Sequence, residues 1–201
     1  MRHIPNILTV ARIVLTPVLL LLLTWQTLGA QVAALVLFVV ASISDYLDGI
    51  LARRMEARSN LGKFLDPLAD KILVLGTFVA LALLYPRLIP WWAVLLIAFR
   101  DVVVTGLRTW AEARGRTIET MTIAKYKTMT QLSFLFYVLV LLALTHAPGL
   151  AAAQAEWLLF SSIATYALLL AVVMFTVFPG LLYFLQLREV RWIYRYRSGR
   201  S

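Results

Sequence analysis

The sequence predicts an all-α integral membrane protein with six transmembrane helices and an intramembrane polar cavity that opens to the cytosol. Three observations carry this. Of the 201 residues, 62% are hydrophobic and the mean hydropathy is +0.85. That is more apolar surface than a water-soluble domain of this size needs. Apolar runs of about 20 residues, enough to cross a bilayer, recur along the chain. Lys and Arg together number 19, and with both termini in the cytosol only Arg87 falls in an exterior loop. That is the positive-inside pattern. The net charge of +9 borders apolar runs, so it suits anionic lipid headgroups and membrane lipids rather than a nucleic acid. There is no cysteine, hence no disulfide or thiolate site. One domain over residues 1–201 is the sensible count.

The first span is the apolar run Ile7–Leu28, interrupted by Thr9, Arg12 and Thr16. It is longer than a signal-peptide core and contains an arginine, so it is read as a retained span. Asn6, Thr9 and Arg12 fall near one helical face. The second span, about Val32–Leu51, delivers Asp45 and Asp48 at its cytoplasmic end. Arg53–Lys63 connects it to a third span over Phe64–Tyr85. Pro67 is tolerated near the start of that span, where helix N–H groups have no intrahelical acceptor. Lys71 beside Asp70 is either its ion-pair partner, the favoured reading, or a phosphate ligand.

The stretch from Asp45 to Asp70 organises the chain. It holds four aspartates, in a chain with ten acidic residues altogether, at the junction of two apolar segments where a lone carboxylate is expensive. Helix positions three apart are separated by about 60° and positions four apart by about 40°. Asp45 with Asp48, and Asp66 with Asp70, therefore make two acidic faces. Such faces repel unless cations lie between them. Hard divalent ions suit oxygen ligands, and a pair of them suits phosphoryl transfer. Gly49 and Gly62 remove side chains beside the carboxylates, Ala52 nearly so, and a ligand gains close approach. Arg53 offers a fork for a phosphate.

Tyr85–Pro90 is a tight turn, and Trp91 and Trp92 mark a membrane interface. The fourth span runs on to about Trp110 and contains Arg100, Asp101 and Arg108. Arg100 next to Asp101 is either a self-neutralised pair or a cation facing the polar cavity. Among Arg100, Arg108, Lys125 and Lys127, only Arg100 has an evident acidic partner in the sequence. Glu112–Glu119 is a polar loop, and the fifth span begins at Ala124 with Lys125 and Lys127 at its entrance. His146 belongs to a turn and carries no catalytic role, and Ala151–Glu156 is a short exterior segment. The sixth span, Trp157–Leu187, is long for one crossing, so a kink at Pro179-Gly180 or an exit from the membrane is expected. The Arg-rich tail, interleaved with Trp192, Tyr194 and Tyr196, reads as a membrane-surface anchor.

The pattern D-x2-D-G-x2-A-R-x8-G-x3-D-x3-D is filled at every specified position from Asp45 to Asp70. It resembles the signature of the CDP-alcohol phosphatidyltransferases. Pro5, Asn6, Thr9 and Arg12 resemble the opening helix of the bacterial phosphatidylglycerophosphate synthases within that family. Arg100 and Arg108 resemble their paired arginines, with Asp101 where Glu is usual. Ala124 to Gln131 resembles their G-K-x-K-T-x-x-Q stretch, with Ala124 in place of Gly.

The resemblance implies an enzyme of the bacterial inner membrane, a homodimer, with its site facing the cytosol. It implies two divalent cations, Mg²⁺ or Mn²⁺, on Asp45, Asp48, Asp66 and Asp70, with Asp70 also taking the acceptor's proton. CDP-diacylglycerol would be the donor, its CDP near Asn6, Thr9, Gly49, Ala52, Arg53 and Gly62. Glycerol 3-phosphate would be the acceptor, its phosphate near Arg12, Arg100, Arg108, Lys125 and Lys127. Inositol phosphate, serine or phosphatidylglycerol are the alternative acceptors. A transporter also places charges within the membrane, but these cluster on one side. Soluble prenyl-chain enzymes have adjacent aspartates, which this chain lacks.

Overall fold

Long apolar runs without internal turn residues become long helices. A computed structural model describes the backbone of residues 4–55, 60–112 and 123–198, and the side chains of residues 14–44, 71–107 and 127–180. Every regular element among the described residues is helical. They are α1 (Ile4–Thr24), α2 (Leu28–Met55), α3 (Asn60–Leu84), α4 (Trp91–Glu112), α5 (Ile123–Thr145), α6 (Leu150–Glu156), a π-helical turn (Trp157–Ser161) and α7 (Ile163–Ser198).

α5 is the hub, packed against α2, α3, α6 and α7. α1 lies on α2 and α3, and α4 lies on α3 and α7. Phe78 of α3 stacks on Phe134 of α5, with centroids 6.0 Å apart and planes 9° from parallel. Phe38 of α2, Leu135 and Leu139 of α5 and Leu169 of α7 complete the buried centre. The outside is apolar too. Val32, Val36, Val40 and Ile43 form an exposed stripe on α2, and Phe99 and Val102 are exposed on α4. Contiguous apolar surface of this kind calls for lipid or a partner. Among the described residues, Lys127–Thr145 and Ile163–Gly180 are each long and apolar enough to cross a membrane. Val14–Thr24, Leu28–Ser44 and Lys71–Leu84 are shorter apolar stretches.

Helix ends are satisfied locally, as low-dielectric surroundings demand. α1 ends at Thr24, short of the expected Leu28, which instead opens α2. The buried side chain of Gln31 donates to the carbonyls of Leu23 (3.3 Å) and Trp25 (3.2 Å). The Tyr85–Pro90 turn forms as expected, with Leu88 and Ile89 N–H both donating to the Tyr85 carbonyl. His146 closes α5, with Nδ1 3.0 Å from the Leu142 carbonyl. Gly149 follows at φ 87°, a conformation that costs a side-chain-bearing residue.

The last span differs from expectation. The Ala151–Glu156 segment is part of a helix, α6, packed on α5. The break then falls at Ser162, which is extended at φ −84°, ψ 135°. Thr165 Oγ1 donates to the Leu158 carbonyl at 2.7 Å, and Ser162 Oγ accepts from Ala164 N–H at 3.0 Å. These side chains replace the helix bonds lost at the break. No break occurs at Pro179-Gly180, because α7 runs through both to Ser198. Its 36 residues extend for about 54 Å, well beyond a hydrocarbon core of about 30 Å.

Candidate functional site

The predicted residues occupy the N-terminal ends of α1, α3 and α5 and the C-terminal ends of α2 and α4. Up-and-down connectivity brings those ends to one end of the bundle. Asn6, Thr9 and Arg12 lie in the first turns of α1. Asp45, Asp48, Gly49, Ala52 and Arg53 lie in the last turns of α2, and Gly62, Asp66 and Asp70 in the first turns of α3. Arg108 is near the end of α4, and Lys125 is in the first turn of α5. All of these are helical positions whose side chains lie outside the described residues. No group of three or more potential metal ligands occurs among the described residues.

The described part of the site is built around Asp101. Arg100 Nη1 lies 3.2 Å from Asp101 Oδ1, and Lys127 Nζ of α5 pairs with the same oxygen. The side chains of Arg100 and Lys127 are each 12% exposed, and that of Asp101 13%. Lys71 Nζ donates to the Asp101 main-chain carbonyl at 3.4 Å and to the Thr105 hydroxyl. Cations from α4 and α5 thus share the Asp101 carboxylate, and one from α3 reaches the main chain of the same residue. Lys71 is the residue after Asp70, so this cluster sits one position along the chain from the aspartate motif.

Periodicity explains the convergence. Ala93, Ile97, Arg100 and Val104 follow one another at helical spacing on α4, and the first two are buried. Arg100 therefore continues the inner face of α4, and its Nε is buried without an acceptor among the described residues. A buried guanidinium N–H left unpaired costs free energy that an anionic ligand would recover.

One sequence expectation changes here. Lys127 does have an acidic partner, the same Asp101 that pairs with Arg100, because its long side chain reaches from α5 to α4. The expected pairing of Lys71 with Asp70 lies outside the described residues; among the described residues Lys71 reaches across to α4. In the sequence Gln131 stands out only as the last residue of the Ala124–Gln131 motif. It is buried and donates to Thr176 of α7 at 3.1 Å, tying α5 to α7 one turn from Lys127. A polar residue amid an apolar helix was the available signal for it.

Along α1 and α3 runs an apolar groove of about 640 Å³. Lys71 stands at one end and Leu84 and Thr24 at the other, with Leu20, Leu75 and Val79 along its length.

The family model described as CDP-alcohol phosphatidyltransferase matches residues 2–188. The chain belongs to that family. Among its relatives, CDP-diacylglycerol–glycerol-3-phosphate 3-phosphatidyltransferase from Bacillus subtilis is 36% identical over 144 residues, covering 66% of this chain and 74% of the relative. The protein of that name from Cereibacter sphaeroides is 36% identical over 159 residues, 77% of this chain and 71% of its own. The one from Escherichia coli K12 is 34% identical over 142 residues, 68% and 76% respectively. As a CDP-alcohol phosphatidyltransferase, the chain places its aspartate motif on two sequential helices and its described cations beside it.

Proposed function

We propose that this protein transfers the phosphatidyl group from CDP-diacylglycerol to glycerol 3-phosphate, giving phosphatidylglycerophosphate and CMP. The names of the relatives support the reaction. The observation that carries the acceptor is the gathering of Lys71, Arg100 and Lys127 on Asp101, next to the aspartate motif. Cationic forks and ammonium groups in a low-dielectric site suit a doubly charged phosphate.

In this reading the protein is one membrane domain of six spans, in the bacterial inner membrane, homodimeric, with its polar cavity open to the cytosol. The lipid donor enters sideways, and the apolar groove along α1 and α3 suits an acyl chain. Asn6, Thr9, Gly49, Ala52, Arg53 and Gly62 surround the CDP. Arg12, Arg100, Arg108, Lys125 and Lys127 hold the acceptor phosphate. Four carboxylates at helical spacing are hard oxygen donors, the set that fits two Mg²⁺ or Mn²⁺ ions on Asp45, Asp48, Asp66 and Asp70. When bound, such ions neutralise charge on the pyrophosphate and acidify the acceptor hydroxyl. Asp70 takes the hydroxyl proton as the acceptor oxygen bonds to the phosphatidyl phosphorus. The bond from that phosphorus to the CMP oxygen breaks, and CMP leaves.

The test is purified protein with CDP-diacylglycerol and a panel of acceptors. CMP release should depend on glycerol 3-phosphate. Release with serine, inositol phosphate or phosphatidylglycerol in its place would reassign the acceptor, and no release with any of them would reject the transferase reading.

A further inference from the structure

We propose that Gly180 of α7 is a positioning residue for the acceptor site, its missing side chain letting the stem of Arg100 lie against the helix. A methyl built on Gly180 would stand 3.0 Å from Arg100 Cγ, 3.1 Å from Arg100 Nε and 3.5 Å from Val104 Cγ2. Carbon atoms pack at about 3.5–4.0 Å, so only the last of these is an ordinary contact. The guanidinium of Arg100 is thus laid along the backbone of α7 before it reaches Asp101.

The contact closes a circuit through three helices. Gly180 touches Arg100, and Arg100 shares Asp101 with Lys127. Gln131, one turn along α5 from Lys127, is bonded to Thr176, and Thr176 is one turn along α7 from Gly180. Both Gln131 and Thr176 are buried. This holds α7 against α5 at the depth where Arg100 needs its wall. An added methyl would push on Cγ, close to the root of the side chain, so a small displacement there is levered outward to the guanidinium. Preorganised cations lose much of their value when shifted by about 1 Å. α7 holds none of the predicted acceptor ligands, yet its glycine aims one of them.

The inference rests on the acceptor reading above, and the experiment separates the two. Kinetic constants for both substrates are measured on Gly180→Ala, Arg100→Ala and the double variant, with Gly106→Ala as control. Gly106 lies on the same helix as Arg100 and has open space around it. Gly180→Ala should raise the glycerol 3-phosphate KM about tenfold. The CDP-diacylglycerol KM should stay within about twofold, and Gly106→Ala should change neither. In the Arg100→Ala background Gly180→Ala should add nothing, the non-additivity expected of touching groups. If Arg100→Ala itself leaves glycerol 3-phosphate kinetics alone, the acceptor reading fails. If Arg100→Ala raises that KM but Gly180→Ala does not, or if the two effects simply add, only the role of Gly180 is overturned. Should Gly180→Ala not fold, Arg100→Ala should rescue it, and no rescue overturns the proposal.

Discussion

Asp101 is a short acid doing the work of a shared anchor. Its carboxylate pairs with Arg100 on its own helix and with Lys127 on the next, while its carbonyl receives Lys71. The side chain is short where the family pattern usually has Glu, yet it meets both cations because the long Lys127 side chain crosses from α5. The aspartates of the motif have a different logic. If they form the proposed cluster, removing one negative charge should not harm the unliganded fold. Asp45→Asn, Asp66→Asn and Asp70→Asn should each abolish transfer while the protein still purifies and melts as wild type. Near-normal CMP release from any one of them, with metal present, would refute the two-cation assignment. EDTA should stop turnover and Mg²⁺ or Mn²⁺ restore it, whereas Ca²⁺, with a larger and looser shell, should support it poorly. Full activity in chelator is the contrary result. Arg108→Ala or Lys125→Ala should raise the glycerol 3-phosphate KM roughly ten- to hundredfold, the worth of a charge-assisted hydrogen bond of about 1.5–3 kcal/mol. The CDP-diacylglycerol KM should hardly move. If these residues are only anchors of topology, expression falls and both constants stay as they are.

At the scale of elements, α5 and α7 carry more than their sequences advertise. α5 touches α2, α3, α6, α7 and the π-helical turn, presents Lys127 to Asp101 and is pinned to α7 by the Gln131–Thr176 bond. Gln131→Leu removes the donor and leaves the buried Thr176 hydroxyl without that partner. Hydrogen bonds between membrane helices are worth about 0.5–2 kcal/mol. The variant should therefore melt a few degrees lower in detergent, and an unchanged melting temperature would mean that the bond holds nothing. α7 also shows how a helix break is placed. Pro179 is accommodated in a continuous helix, while the chain opens at Ser162, where Ser162 and Thr165 stand ready to bond the freed backbone groups. A proline removes one N–H; a polar pair that supplies replacement bonds permits a full interruption.

For the molecule as a whole, the proposed orientation places the aspartate motif, Arg108 and the Lys125–Lys127 entrance at the cytosolic face. The absence of cysteine makes this directly testable. In an active background, Arg87→Cys should react with a membrane-impermeant maleimide added to spheroplasts. Arg114→Cys should react only after the membrane is opened. Labelling in the reverse order would invert the topology and move the site to the other face.

The sequence by itself determined the class, the family and the aspartate register. Each is written within one helix length: apolar runs set the helices, and three- and four-residue spacings set which carboxylates share a face. Charge asymmetry between loops is equally local and gave the expected orientation. Only the tertiary structure decided which cations meet. Lys127 and Asp101 are 26 residues apart, Lys71 and Asp101 30, and Gln131 and Thr176 45. Contacts over such separations depend on how neighbouring helices are rotated and how deep they sit, which no local period encodes. The same reason hid Gly180. A glycine after a proline suggests a kink in the sequence, but against α4 it is the space in which Arg100 lies.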